Sequence, residues 1–165
     1  MESISSIIEK LASEIIAAKK INTPYGKKTL IRSYEIPYLA GYSKDGKIIY
    51  IDKRLHPVFT LKNGKKMDIV KYLVVHESTE KHFMDVKDYK YPYAHEMATK
   101  AERKAVEADG YPWDEYEKYA LSEVQRTKKL EPKEPLPKNL DVRPEIDTRD
   151  YRLLKQIKRQ EKLKK

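Results

Sequence analysis

A chain of 165 residues with a formal net charge of +9 and 37% charged side chains is expected to form one domain with a modest core and much exposed surface. It contains no cysteine, which excludes disulfides, thiolate metal sites and the zinc deaminases that rely on a Cys-x-x-Cys pair. No run of about 18 apolar residues occurs and the N-terminus is amphipathic, so neither a spanning helix nor a signal peptide is expected, and the expected setting is cytoplasmic.

Ile4, Ile7, Ile8, Leu11, Ile15 and Ile16 recur at helical spacing. They predict a first helix, capped by Ser3 or Ser5 and ending near Lys19 and Lys20. Thr23-Pro24-Tyr25-Gly26 reads as a turn, and from residue 28 to 54 the pattern changes to strands. Residues 29–34 alternate loosely, and 36–42 are aromatic and apolar. Asp45-Gly46 separates that run from Ile48-Ile49-Tyr50-Ile51, a strong hairpin signal. Asn63-Gly64 is a second, weaker turn. A small antiparallel sheet with a β-hairpin is therefore predicted ahead of the helices.

Two helices are predicted between residues 68 and 110. Asp68 is available to cap the first, Pro92 suits the first turn of the second, and Gly110 is placed to end it. A third begins near Pro112, with Trp113, Tyr116, Ala120 and Val124 as its apolar positions. After Thr127 the composition shifts to Pro132, Pro135, Pro137 and Pro144 among charged residues, which reads as an extended arm. The expectation is an α+β domain over residues 1–127: an N-terminal helix, the small sheet, then a helix pair or triplet. Residues 128–165 are expected to form a basic C-terminal arm, whose last part has Leu153, Leu154, Ile157 and Leu163 among Lys and Arg.

The helix pair carries the chemistry. At about 100° per residue, His76 and Glu80 fall on the apolar stripe of Ile69, Leu73 and Phe83, with Glu77 on its edge. In the second helix His95 and Glu102 lie within the face of Ala94, Ala98, Ala101, Ala105 and Val106. Carboxylates on buried faces need partners, because unpaired burial costs several kcal/mol. Two helices that each bring a histidine and a glutamate inward could satisfy one another through a metal ion, which is the leading expectation. Residues four apart share a helix face and can reach one ion, so His76, Glu80, His95 and Glu102 are the candidate ligands, with zinc the first candidate metal. Glu77, displaced by about 100°, is placed to act as general base on a water. The bland alternative is a hydrogen-bonded brace, with His76 bonded to Glu80 and Glu102 to His95 or Arg103. His82 falls off the stripe, His56 is placed in a loop from which it could approach the site, and Tyr91 and Tyr93 flank the second helix.

His76-Glu77-Ser78-Thr79-Glu80 resembles the His-Glu-x-x-His helix of zinc metallopeptidases, with Glu80 in place of the second histidine. That resemblance implies a zinc hydrolase in which Glu77 activates water. A looser resemblance, over GYSKDGKIIYIDKRL, KYLVVHESTEK and YAHEMATKAERKAVEADG, is to small uncharacterised proteins of bacteria, phages and prophages, and implies a host-cytoplasm or virion setting. Two classes of function follow. One is a metal-dependent hydrolase that binds an extended peptide on a sheet edge beside the cleft. The other is a non-catalytic phage or prophage structural or binding protein whose basic arm contacts a partner subunit or nucleic acid.

Overall fold

Four apolar residues in succession, Ile48 to Ile51, are the mark of a strand covered on both faces, and the sheet is built around them. The computed structural model describes residues 2–9 and 18–144. Residues 4–9 are helical. Then come β1 (Lys19–Thr23), β2 (Gly26–Ile31), β3 (Ala40–Tyr42), β4 (Ile48–Ile51), β5 (Val58–Thr60) and β6 (Lys66–Asp68), followed by α1 (Val70–Asp85), α2 (Tyr91–Ala108) and α3 (Trp113–Lys128). The α+β class and the element order agree with the sequence expectation. The expected continuation of the first helix through Leu11 and Ile16, and the apolar positions from Leu153 to Leu163, lie outside the described residues.

Two details differ. Lys19 and Lys20 are strand and not the end of a helix, because the turn at residues 23–26 folds 19–23 back onto β2, with Lys20 opposite Thr29. The sheet is also mixed, not purely antiparallel. Its order is β1-β2-β4-β3. The Asp45-Gly46 hairpin returns β4 between β2 and β3, antiparallel to β3 and therefore parallel to β2. Gly46 takes φ +73°, the left-handed region that such a turn requires. The weaker turn at Asn63-Gly64 joins the separate β5–β6 hairpin.

Burial on the two faces of the sheet differs. Leu30, Tyr42, Ile49 and Ile51 face the main core, which Ile69 just ahead of α1 and Leu73, Val74 and Met84 within it complete, and which Val106 and Tyr116 close from the other helices. The opposite face carries a second cluster of Ile36, Tyr50 and Leu140. Leu140 belongs to the stretch that composition assigns to a free arm. It is buried, Ser43 bridges to it, Asp141 N–H donates to Tyr42 O (2.9 Å), and the Tyr50 hydroxyl donates to Asn139. Gly41 makes room for this, since a Cβ there would lie 3.2 Å from Leu140. The domain boundary expected at Thr127 is thus too early, and the chain packs on the sheet as far as Pro144. The prolines suppress regular structure there without preventing docking of single apolar side chains. Leu140→Ala is expected to cost about 2–5 kcal/mol, read as a lower urea midpoint. A change within 0.5 kcal/mol would show that the segment contributes nothing to the fold.

α1 is the central helix. It packs against β3 and β4 on one side and α2 on the other. Residues 72–74 and 76–81 are all buried, so even Lys81 lies inside. Lys81 Nζ bonds Asp141 (3.0 Å) and Asp85 (2.8 Å), and Arg143 joins both carboxylates. Asp68 caps α1 one residue further out than usual, its Oδ1 accepting the Val70 N–H. No described helix is long and apolar enough to cross a membrane.

Candidate metal centre

The two inward histidines meet. His76 on α1 and His95 on α2 bring Nε2 and Nδ1 to 3.2 Å, and Glu80 Oε2 stands 3.2 Å from the first and 3.0 Å from the second. Three donor atoms thus form a nearly equilateral triangle. Ligand atoms bound at about 2.0–2.2 Å are roughly 3.0 Å apart at right angles and about 3.4 Å apart in a tetrahedron. The observed edges lie between these values, and these residues could hold one metal ion.

The protonation pattern points the same way. Glu102 is not in the triangle. Its Oε2 accepts from His76 Nδ1 (2.7 Å) and its Oε1 accepts from the Tyr116 hydroxyl. An ionised Glu102 can only accept, so His76 Nδ1 carries a proton and a neutral His76 turns the Nε2 lone pair toward Glu80 and His95. Glu80 Oε2 is also an acceptor. If His95 Nδ1 donates to Glu80, the His76 lone pair is left facing a carboxylate 3.2 Å away. A cation, either an extra proton or a metal, is what the arrangement calls for. Without a metal the proton takes that place. Burial alone would lower the His76 pKa, but Glu102 and Glu80 together hold it well above the usual histidine value. Burial pushes Glu80 up, and the hydrogen bonds from His76 and His95 overcome this and bring it down.

Two tyrosines complete the surroundings. The Tyr42 hydroxyl donates to Glu80 Oε1 (2.8 Å), which leaves Oε2 for the triangle. Burial, reinforced by Glu80 and Glu102 respectively, keeps Tyr42 and Tyr116 protonated and so confined to donating. Glu77 lies beside the triangle and lines the same cleft, with no hydrogen bond to its carboxylate among the described residues. Burial first, and then the charge of Glu80, raises its pKa well above the usual carboxylate range. The cleft measures about 380 Å³, and the three residues of the triangle are part of its lining. Its walls are mostly apolar: residues 37–40 on one side, Trp113, Ala120, Leu121 and Val124 of α3 on the other, and Pro144 at the rim.

No family model, curated protein or solved structure matches this chain. The site must therefore be judged on its own geometry.

Of the residues expected in the site, His76, Glu80 and His95 come together, and Glu77 lies beside them. Glu102 is corrected from ligand to support. It binds the ring nitrogen of His76 that faces away from the triangle, because α2 carries it about two turns beyond His95. It answers neither His95 nor Arg103, which pairs with Glu107 on the surface. His56 does not approach. It is exposed beside Glu123, whose carboxylate accepts the His56 N–H (3.0 Å). His82 is half-buried and stacks on Tyr25. Tyr91 lines the cleft, its hydroxyl 3.4 Å from His95 Nδ1, whereas Tyr93 is exposed. Tyr42 and Tyr116 were not legible as site residues, because each sits at an ordinary apolar position of a strand or helix and only the fold shows where its hydroxyl points. An extended peptide is expected on a sheet edge beside the cleft, and of the two edges that of β3 is taken at Tyr42 and beyond by residues 139–141 of the chain itself.

Proposed function

We propose that this chain is a metal-dependent hydrolase of the metallopeptidase-like kind, with His76, Glu80 and His95 as ligands and Glu77 as general base. The observation that carries the proposal is the triangle of two imidazole nitrogens and one carboxylate oxygen, 3.0–3.2 Å on each edge, in the lining of a cleft. Two histidines and one carboxylate make a ligand set that leaves room for water, and zinc is the first choice for it. When bound, the metal supplies a Lewis acid. The chain's own residues do the rest. Glu102 fixes the His76 ring, Tyr42 fixes Glu80, and Glu77 takes the proton of the attacking water. The apolar walls restrict bulk solvent and favour a substrate with an apolar group beside the bond to be cut.

Metal content tests the ligand assignment. Protein prepared without chelator is expected to hold about one zinc per chain and to melt lower once chelator removes it. His76→Ala should lose both the metal and the difference in melting. Glu102→Gln should retain the site but weaken metal affinity about 10–100-fold, as expected for a residue that orients a ligand. A protein without metal that melts identically with zinc and with chelator would sink the proposal. The closure of the network by Tyr42 and Tyr116 would then favour the second reading, a protonated brace in a non-catalytic phage or prophage structural or binding protein.

A further inference from the structure

The positive charge is not confined to the C-terminal stretch. Between residues 18 and 34 the chain has Lys19, Lys20, Lys27, Lys28 and Arg32 and neither Asp nor Glu. The β1–β2 register sets Lys20 opposite Thr29 and Asn22 opposite Lys27, so Lys20 and Lys27 stand on the same outer face. The β3–β4 turn adds two more cations beside them. Thr29 N–H donates to Lys47 O (2.9 Å), so the turn abuts the end of β2; Lys28, on the opposite face with Ile21, has its ammonium 4.0 Å from where a Gly46 side chain would begin. Lys44 flanks the same turn. None of these cations forms an ion pair with a described residue. The carboxylate of Asp45 is engaged by Ser43 Oγ and the Lys47 N–H.

We infer that this end of the sheet is a binding surface for the phosphate backbone of duplex nucleic acid, independent of sequence. Three features select that partner. The apolar side chains nearby, Ile21, Leu30, Ile31 and Ile48, are packed against the two clusters, so none is free to insert into a lipid surface. Lysine without aromatic or aliphatic anchors is the opposite of a protein-binding hot spot. Tyr25 is stacked on His82, and Tyr34 lies edge-on to Tyr50, so neither ring is presented as a platform for unpaired bases. What remains is a rigid, polar, cationic ribbon, which suits contacts to phosphates.

The test uses the full chain and a fluorescent 20-base-pair DNA duplex of arbitrary sequence, titrated at several salt concentrations. One variant combines Lys20→Ala, Lys27→Ala, Lys44→Ala and Lys47→Ala. A second, matched in net charge, combines Lys158→Ala, Lys162→Ala, Lys164→Ala and Lys165→Ala. The first should bind about 100-fold more weakly at low salt, with a log–log salt slope shallower by about 3–4, and should melt as the parent does. The second should stay within about threefold of the parent. Equal losses in both, a loss only in the second, or tighter binding to anionic phospholipid vesicles than to the duplex would overturn the inference.

Discussion

On the proposed metal-hydrolase reading, replacing Glu77 with glutamine should leave the metal content of the protein unchanged and lower the hydrolytic rate about 100- to 10,000-fold, the usual contribution of a positioned general base. The prediction follows from where Glu77 sits. It shares the cleft with the triangle but makes no hydrogen bond to a described residue, so its carboxylate takes no part in the hydrogen-bonded brace around the triangle. Glutamine keeps the shape and loses the ability to accept a proton as a carboxylate does. The measurement is turnover of peptide substrates with an apolar residue beside the scissile bond, alongside metal analysis of the same preparation. Loss of metal in Glu77→Gln would make Glu77 a ligand, and undiminished turnover would remove it from the chemistry. His76→Ala is the contrast, because it should lose metal and activity together.

The second large effect concerns stability. Asp141→Ala is expected to destabilise the fold by about 3–5 kcal/mol, because it strands Lys81, a buried ammonium, with only the half-exposed Asp85. Lys81→Met should cost clearly less. It removes the buried charge itself and leaves Asp141 bonded to Arg143, whose Nη2 lies 2.6 Å away. The pair also predicts a pH dependence. Burial raises the Asp141 pKa, but the Arg143 hydrogen bonds and the Lys81 ammonium outweigh it and bring the carboxyl down to about 2. A carboxyl depressed in the folded state stabilises it fully above its ordinary value near 3.9, and that stability is lost as pH falls through about 2. Urea midpoints should therefore decline between about pH 4 and pH 2 in the parent, and less steeply in Asp141→Ala. Equal slopes in the two proteins would show that another carboxylate governs acid unfolding.

How far the sequence could be read depended on whether the signal was local. Asp45-Gly46 fixed a hairpin because its turn geometry is set by two residues, and the same is true of Gly110 at the end of α2. His76 and Glu80 could be placed together because four residues on a helix make one turn. The pairing of His76 with His95 was legible only as two inward faces, and which donor atom met which was not. Glu102 shows why. A ligand and its support carry the same side chain on the same helix face, and they differ only in the angle at which two helices cross. The parallel pairing of β2 with β4 was hidden for a similar reason, since the order of strands in a sheet is decided by long connections and not by strand composition. Composition misread the stretch after Thr127, because prolines and charges describe the backbone of that segment and not the side chains of Asn139, Leu140, Asp141 and Arg143 by which it is anchored.

That anchor has a consequence for how the molecule is made. Asn139 meets Tyr50, 89 residues earlier in the chain, its carbonyl accepts the Lys44 N–H, and its neighbours Leu140 and Asp141 pair with Ser43 and with Tyr42, the last residue of β3. During synthesis β3, β4 and all three helices are therefore translated before the residues that cover this edge and add Asp141 to the partners of Lys81. A nascent chain of that length carries an open strand edge and a partly satisfied internal ammonium, the two features that most invite association with other chains. Docking of residues 139–141 covers that edge and supplies the buried carboxylate that faces Lys81.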